Sequence, residues 1–119
     1  MRVLICGGRD FSDADFMDRY LRIVDRRYVI KHVIQGGARG ADRLAKNWAE
    51  GCGVPVTEYR ADWSKYGKAA GPRRNQQMID EGKPDLVIAF GGGRGTADMV
   101  RKAEAAGIKV FRSPPHPAP

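Results

Sequence analysis

A short apolar run that ends in paired glycines, with an arginine close behind, occurs three times in this chain. The glycine segments are Gly7-Gly8-Arg9, Gly36-Gly37-Ala38-Arg39 and Gly91-Gly92-Gly93-Arg94, and a helix-like pattern follows each of them. Glycine lets backbone N–H groups approach a ligand without a Cβ in the way. The following helix adds unpaired N–H groups and the positive end of its dipole. Because arginine adds a charged group suited to phosphate, the pattern predicts anion-binding loops between strands and helices.

Five apolar runs between these glycines and other turn residues have the character of buried strands. They predict strands over residues 2–6, 32–35, 54–59, 85–90 and 108–111. Strands that alternate with helices predict an α/β fold, a Rossmann-like doubly wound parallel five-stranded sheet in a single domain over residues 1–112. Right-handed crossovers favour the strand order 3-2-1-4-5, which brings the loops after strands one and four together.

Amphipathic patterns occupy the intervals between the strands. They predict helices over residues 12–27, 40–51, 72–79 and 95–106. Ser12 and Thr96 are expected to act as N-caps of the first and the fourth helix. The first helix is expected to carry Phe16, Tyr20 and Ile23 on one apolar face, with Met17, Leu21 and Val24 beside it. The polar stretch 60–71 is expected to be a loop.

The charge balance favours an anionic partner. The chain carries 21 Lys and Arg against 14 Asp and Glu, a formal charge of +7. Such a balance is typical of proteins that bind nucleotides or nucleic acids. The arginines of interest lie in loops, and no dense basic helix of the kind that follows a duplex is present.

Other parts of the sequence indicate no membrane, metal or cofactor. No apolar run approaches the roughly 20 residues that cross a bilayer, and no signal peptide is recognised, so a cytoplasmic location is expected. The two histidines, His32 and His116, lie apart from the predicted site, and Cys6 is expected to be buried in a core strand. The proline-rich tail 113–119 is expected to be disordered.

The loops supply the candidate ligand-binding residues. They are Gly7, Gly8, Arg9, Gly36, Gly37, Arg39, Asp42, Tyr66, Arg73, Arg74, Gly92, Gly93, Arg94, Gly95 and Thr96. Asp42 is either a ligand of ribose or an ordinary first-turn carboxylate that the helix dipole stabilises. Arg73 and Arg74 oppose the dipole of their predicted helix, a conflict that a bound anion would relieve.

Three residues near these loops have alternative interpretations. Tyr66 lies among lysines, where it either stacks on a base or has no ligand role. Trp63 either stacks on a base or pins its loop to the core, and the second interpretation is favoured slightly. Arg9 can reach a phosphate, while Asp10 can simply pair with Arg9 in a surface ion pair.

Four blocks in order resemble the YspA/YpsA-related branch of the SLOG superfamily, which also includes Lonely-Guy phosphoribohydrolases and the DNA-processing protein A family. The blocks occupy residues 7–11, 36–42, 71–78 and 92–99. The resemblance covers most of the chain, and four blocks in order are more specific than any one of them. It implies a Rossmann-like domain that binds a nucleotide or a nucleotide-derived small molecule, and it implies homo-oligomers.

The resemblance to Lonely-Guy enzymes implies an alternative activity, cleavage of the N-glycosidic bond of nucleoside monophosphates. The glycines and the threonine of their Pro-Gly-Gly-x-Gly-Thr-x-x-Glu signature fall within residues 92–96, and their conserved arginine falls on Arg74. Met99 occupies the glutamate position, and a thioether cannot act as a base. Asp98, about 100° away around the helix, and Arg74 are then the catalytic candidates.

A third hypothesis comes from the DNA-processing proteins, which bind single-stranded DNA. They share a Gly-Gly-Ala-x-Gly pattern like that at residues 36–40. The sequence therefore leaves three hypotheses: a nucleotide-binding or sensor module, an N-glycosidase, and a single-stranded nucleic-acid binder.

Overall fold

One sheet of five parallel strands organises the molecule, as the alternating pattern predicts. The computed structural model describes residues 1–113, and its strands are β1 Arg2–Gly7, β2 His32–Gln35, β3 Val56–Glu58, β4 Leu86–Phe90 and β5 Lys109–Arg112. Their order, β3-β2-β1-β4-β5, confirms the predicted topology and the Rossmann-like fold. β1 pairs with both β2 and β4, so the carboxyl ends of β1 and β4 lie side by side.

Within the described residues, five α-helices and one 3-10 turn connect the strands. The helices are α1 Ala14–Tyr28, α2 Ala41–Gly51, α3 Trp63–Tyr66, α4 Ala70–Asp80 and α5 Arg94–Ala105, with the 3-10 turn at Gly67–Ala69. α1 and α2 cover one face of the sheet, and α4 and α5 cover the other. The fold is therefore a three-layer sandwich with two apolar cores.

The side chains of β1 alternate between those two cores. Val3 and Ile5 pack against α1 and α2, whereas Leu4 and Cys6 pack against α4 and α5. All of Leu86–Phe90 is buried, which confirms that the most apolar run forms a central strand. Burial of these apolar side chains on both faces fixes the register of the strands, and thereby the positions of the loops at their ends.

Both predicted helix caps are wrong. α1 begins one residue later than a Ser12 cap requires, and Asp13 is the N-cap, with its Oδ1 accepting the N–H of Phe16 at 2.9 Å. α5 begins at Arg94, so Thr96 lies inside the first turn and Gly93 holds the cap position. The helix starts early because the glycines before it allow the chain to turn directly after β4.

The polar stretch 60–71, predicted to be a loop, contains α3 and the beginning of α4. Asp62 caps α3 through its Oδ1, which accepts the N–H of Lys65 at 3.0 Å. α4 begins at Ala70, so Pro72 lies in the first turn, where a missing N–H leaves no bond unmade. Because Arg74 then lies beyond the first turn, its conflict with the helix dipole is smaller than predicted.

Ile23 is on the wrong face for a core residue, contrary to the prediction. The buried stripe of α1 is Met17, Leu21 and Val24, and Ile23 is 66% exposed. Adjacent helical positions differ by about 100°, which places Ile23 away from that stripe.

Residues 114–119 lie outside the described part of the chain, so the predicted disorder of the tail stays a prediction. Within residues 1–113, no helix has both the length and the apolar character that a bilayer span requires. In the same part of the chain, no three His, Cys, Asp or Glu side chains converge where a metal ion could bind.

Candidate functional site

The loops after β1, β2 and β4 border a cleft at the carboxyl edge of the sheet. Its first cavity, here called the glycine lobe, measures about 410 Å³ and is lined by Cys6, Gly7, Gly8, Arg9, Ala38, Asp42, Arg74, Asn75, Met78, Gly93, Arg94, Gly95, Thr96 and Met99. The second, here called the arginine lobe, measures about 640 Å³ and is lined by Arg9, Gly36, Gly37, Ala38, Arg39, Arg60, Ala61, Trp63 and Arg74. Because three lining residues are common to both, the lobes adjoin.

Backbone hydrogen bonds connect the three loops through Gly8. Its N–H donates to the carbonyl of Phe90 at 3.0 Å, at the end of β4. Its carbonyl accepts the N–H of Ala41 at 3.1 Å, at the start of α2. The glycine segments that the sequence places in separate loops therefore form one continuous wall.

The glycines of this wall have two different roles. Gly40 and Gly92 have φ of +76° and +116°, and a Cβ there would collide with the carbonyl of Gly8 and with the side chain of Thr96, respectively. Gly93 and Gly95 have no atom within 4 Å of such a Cβ. The first pair is required by the fold, whereas the second pair leaves space open beside the glycine lobe.

The amino end of α5 faces the glycine lobe. No side chain caps this helix, and Arg94, Gly95 and Thr96 of its first turn line the cavity. Within residues 1–113, no carboxylate lies within ion-pair distance of Arg94. The helix dipole and the guanidinium therefore add up to a positive potential at this end of the cleft.

Asp42 anchors the loop that follows β2. Its Oδ2 accepts the N–H groups of Gly36 and Ala38, each at 3.2 Å, and only 8% of the residue is exposed. Burial raises the pKa of this carboxyl above its ordinary value, although the two amides and the charge of Arg74 act in the opposite direction. Asp42 lines the glycine lobe from this position, and its contact with a ribose stays a prediction.

Arg74 is held in place by polar contacts to neutral groups. Its Nη1 donates to the carbonyl of Gly36 at 2.6 Å, and its Nε donates to Oδ1 of Asn75 at 3.1 Å. Burial and the nearby charge of Arg9 lower the pKa of Arg74, while Asp42 raises it. The guanidinium therefore lies between the two lobes with no ion-pair partner among residues 1–113.

Asn75 is a site residue that the sequence reasoning missed. It is 4% exposed, and its Nδ2 donates to the carbonyl of Gly95 at 3.1 Å and to Oδ2 of Asp98 at 3.0 Å. It thus connects Arg74 to the first turn of α5. The sequence does contain a signal for Asn75. It lies three residues before Met78 and four before Ile79, so it shares the buried face of α4 with these two apolar residues.

Asp98 lies beside the cleft and does not line either lobe. Its two carboxylate oxygens accept the Nζ of Lys102 at 2.6 and 2.7 Å, and Arg101 lies at 3.6 Å. Burial opposes ionisation, but the hydrogen bonds from Lys102 and Asn75 and the charges of Lys102 and Arg101 lower the pKa below its ordinary value. Asp98 is therefore a partnered anion, and its catalytic role stays a prediction.

Three predicted ligand residues lie outside the two lobes. Gly92 shapes the turn before α5, while Tyr66 and Arg73 line a third cavity of about 300 Å³ that also includes Arg60 and Arg74. The guanidinium of Arg73 lies 4.4 Å from the centroid of the Tyr66 ring. The other predicted ligand residues all line one lobe or the other.

The structure contradicts the suggested pairing of Asp10 with Arg9 and the expected core position of Trp63. Asp10 pairs with Arg39 at 3.4 Å rather than with Arg9, and both side chains are exposed. Trp63 is 50% exposed and lines the arginine lobe instead of being buried in the core. The guanidinium of Arg9 lies 5.9 Å from its ring centroid. The short helix α3 presents Trp63 to the cleft, which a loop prediction could not show.

Cys6 and Arg60 also line the cleft although they were not among the predicted site residues. Cys6 is buried, as predicted, and burial with the nearby Asp42 charge raises the pKa of its thiol to about 12. It therefore stays protonated at neutral pH, with Sγ donating to the carbonyl of Ile88 at 3.7 Å. Arg60 could have been predicted from the sequence, because it follows β3 and therefore lies at the same carboxyl edge of the sheet.

Comparisons with known proteins place this chain in a family. Residues 1–66 match the family model described as YAcAr: YspA, cpYpsA-related SLOG family. The chain belongs to this family. The Gene 61 protein of Mycobacterium phage D29 is 41% identical to this SLOG-family chain over 118 residues, covering 92% of this chain and 94% of the phage protein. Membership confirms the resemblance read from the sequence and supports a nucleotide-related function in general.

Proposed function

We propose that this SLOG-family domain is a binding or sensor module for a nucleotide or a nucleotide-derived small molecule. The observation that carries the proposal is the uncapped amino end of α5, which faces the glycine lobe where Gly93 and Gly95 leave space. A phosphate there would accept backbone N–H bonds and charge-assisted bonds from Arg94 and Arg74.

The charges that line the glycine lobe support an anionic ligand. Arg9, Arg74 and Arg94 line it, against one carboxylate, that of Asp42. An anion that leaves water must regain hydrogen bonds, and this arrangement offers both guanidinium and backbone donors. In the proposed complex the glycine segments at 7–8 and 36–37, with Arg39, hold phosphates, and Asp42 contacts ribose.

Single-stranded nucleic acid is a second candidate, because a basic surface continues beyond the cleft. Arg60 and Arg74 border both the arginine lobe and the third cavity. Trp63 and Tyr66 lie along this surface, and the Nζ of Lys65 lies 5.1 Å from the Tyr66 ring centroid. Aromatic rings among cations are suited to stacking on unpaired bases.

The glycosidase alternative receives less support from the position of the carboxylates. Met99 lines the glycine lobe at the position where the Lonely-Guy signature has glutamate. Asp98 is bound by Lys102 and Asn75 outside the lining. We therefore propose binding rather than cleavage. A cytoplasmic location and homo-oligomers are further proposals that rest on the sequence reasoning.

Thermal unfolding against a nucleotide panel tests the proposed function. The panel contains nucleoside mono-, di- and triphosphates, ADP-ribose, cyclic nucleotides and short single-stranded oligonucleotides. A ligand at 100 times its Kd adds about 2.7 kcal/mol, which shifts Tm by several degrees in a domain of this size. We expect a small nucleotide to cause such a shift and Arg94→Ala to remove it.

Arg26→Ala is the matched control, because it removes the same charge from the exposed last turn of α1. This variant should keep the full shift. Equal shifts in Arg94→Ala and the unmodified chain, or no shift with any small nucleotide, would contradict the proposal. A shift with oligonucleotides alone would favour the second candidate.

A further inference from the structure

The arginine lobe has the composition of a second anion site. Arg9, Arg39, Arg60 and Arg74 line it, and no carboxylate of residues 1–113 does. Its volume of about 640 Å³ exceeds the 410 Å³ of the glycine lobe. A phosphate bound at the amino end of α5 would not by itself account for this second group of guanidiniums.

The partners of these arginines leave much of their charge uncompensated. Arg39 and Arg60 pair with Asp10 and Glu58 at 3.4 and 2.6 Å, and both guanidinium-bearing side chains are 74% exposed. In residues 1–113, Arg9 and Arg74 form no ion pair at all. The charge of Asp42 acts on Arg74, but Asp42 lines only the glycine lobe. In the arginine lobe the like charges of Arg9 and Arg74 repel each other, and an anion would relieve that repulsion.

Continuity between the lobes makes one ligand sufficient for both sites. Arg9, Ala38 and Arg74 belong to the walls of both cavities. Arg74 is fixed by the carbonyl of Gly36 on one side and by Asn75 on the other, so it marks a fixed boundary between them. Because the lobes share these residues, a ligand that occupies one lobe can extend into the other.

We propose that the ligand of this cleft is a nucleotide with at least two phosphate groups, one in each lobe, and not a nucleoside monophosphate. This inference rests on the proposed function and names the class of ligand that is bound: nucleoside diphosphates and triphosphates, and dinucleotides joined by a pyrophosphate. The guanidiniums of Arg39 and Arg60 contact the second phosphate. The indole of Trp63, half exposed, lines the same lobe.

Isothermal titration calorimetry with paired nucleotides tests the inference. The ligands are the four nucleoside 5′-monophosphates and the four matching 5′-diphosphates, applied to the unmodified chain and to an Arg39→Gln/Arg60→Gln variant. We expect the diphosphate to bind about tenfold more tightly or better, because charge-assisted bonds to the second phosphate are added. The double variant should lose most of that preference, so that its affinities for the diphosphate and the monophosphate become nearly equal.

The control variant removes two charges far from the cleft. Arg26→Gln/Lys31→Gln changes exposed residues near the opposite edge of the sheet, and it should keep the preference for diphosphate. Circular dichroism should show both double variants folded, because all four side chains are exposed.

The outcomes separate failure of this inference from failure of the proposed function. Equal affinity for mono- and diphosphate in the unmodified chain, with both lost in Arg94→Ala, would overturn the inference and leave the proposed function standing. A diphosphate preference that survives in Arg39→Gln/Arg60→Gln would overturn it as well. Absence of binding by every nucleotide would overturn both proposals. Tighter binding of a short oligonucleotide than of any diphosphate would overturn the inference in favour of nucleic acid.

Discussion

At the scale of single residues, Asn75 shows how a buried polar group organises the cleft. A buried amide must form hydrogen bonds on both its oxygen and its nitrogen, and Asn75 uses them on Arg74, on the carbonyl of Gly95 and on Asp98. The arginine that borders both lobes and the helix end that faces the glycine lobe are therefore positioned by one side chain. Asp98, which accepts a hydrogen bond from Asn75, stabilises the fold as a charged carboxylate, so its contribution to stability depends on pH.

Replacement of Asp98 by asparagine should destabilise the protein at neutral pH and much less in acid. The pKa of Asp98 is lowered in the fold, so its stabilisation is complete above the ordinary carboxyl value of 3.8 and is lost as the pH falls through the lower folded pKa. Loss of its bonds with Lys102 and Asn75 should cost about 1–3 kcal/mol at pH 7. Urea unfolding of Asp98→Asn and of the unmodified chain at several pH values measures this difference.

Glu104→Gln removes a carboxylate from an exposed position on the same helix and serves as the control. It should change the free energy of unfolding little at any pH. A loss in Asp98→Asn that stays constant down to acid pH would show that the effect is geometric and not electrostatic.

At the scale of elements, the strands were predictable and the segments next to glycines were not. β4 is an uninterrupted apolar run, so its place in the centre and the strand order follow from burial and from crossover handedness. Thr96 has the chemistry of an N-cap, but Gly92 and Gly93 let the helix begin before it. The local propensity of one residue could not reveal a turn that its neighbours allow.

Part of the candidate site was likewise predictable from the sequence, and part was not. The loops after β1, β2 and β4 were predicted to meet, and most of their glycines and arginines line the cleft. The arginine lobe was not foreseen as a separate cavity, because its outer wall depends on α3, a helix of one turn that carries Trp63. So short a helix has almost no periodic signal in a sequence.

Replacement of Gly95 by alanine should stabilise the free protein and weaken its binding of nucleotide. Gly95 lies in the first turn of α5, and a Cβ there has no atom within 4 Å. Alanine lowers the conformational entropy of the unfolded chain, which is worth about 0.4–1 kcal/mol. The added methyl group would take the space beside the helix end where the phosphate is proposed to bind. Urea unfolding and calorimetric titration measure the two effects separately.

Gly51→Ala is the matched control, since Gly51 ends α2, is exposed and also has open space around a Cβ. It should gain stability with no change in nucleotide affinity. Unchanged affinity in Gly95→Ala as well would mean that no ligand approaches the amino end of α5.

At the scale of the whole molecule, the cleft at the carboxyl edge of the sheet is lined mainly by positive charge. The chain carries a formal charge of +7, and five arginines line the two lobes against a single aspartate. A concave surface with one sign of charge raises the local concentration of anions and speeds their association. The same field acts on a nucleotide and on a nucleic-acid strand, but it responds to salt differently in the two cases.

Binding of a small nucleotide should depend on salt less steeply than binding of an oligonucleotide. For a single strand, log K falls with log salt by about 0.7 for each phosphate that the protein neutralises. A diphosphate offers two phosphates, whereas a strand that follows the basic surface past Tyr66 offers several. Calorimetric titrations between about 50 and 200 mM salt measure both slopes. A stronger affinity for the oligonucleotide that falls steeply across this range would identify nucleic acid as the ligand.

The hydrogen bonds of Gly8 have a consequence for how the cleft selects its ligand. Because one residue joins the loops after β1 and β4 to the start of α2, the walls of the cleft are already in place when the ligand arrives. Little conformational entropy is then lost on association, and the affinity reports the fit itself. A preorganised cleft of this kind does not reshape around an ill-fitting molecule. It excludes such a molecule, so in the proposed nucleotide complex discrimination among related ligands would depend on a rigid backbone template.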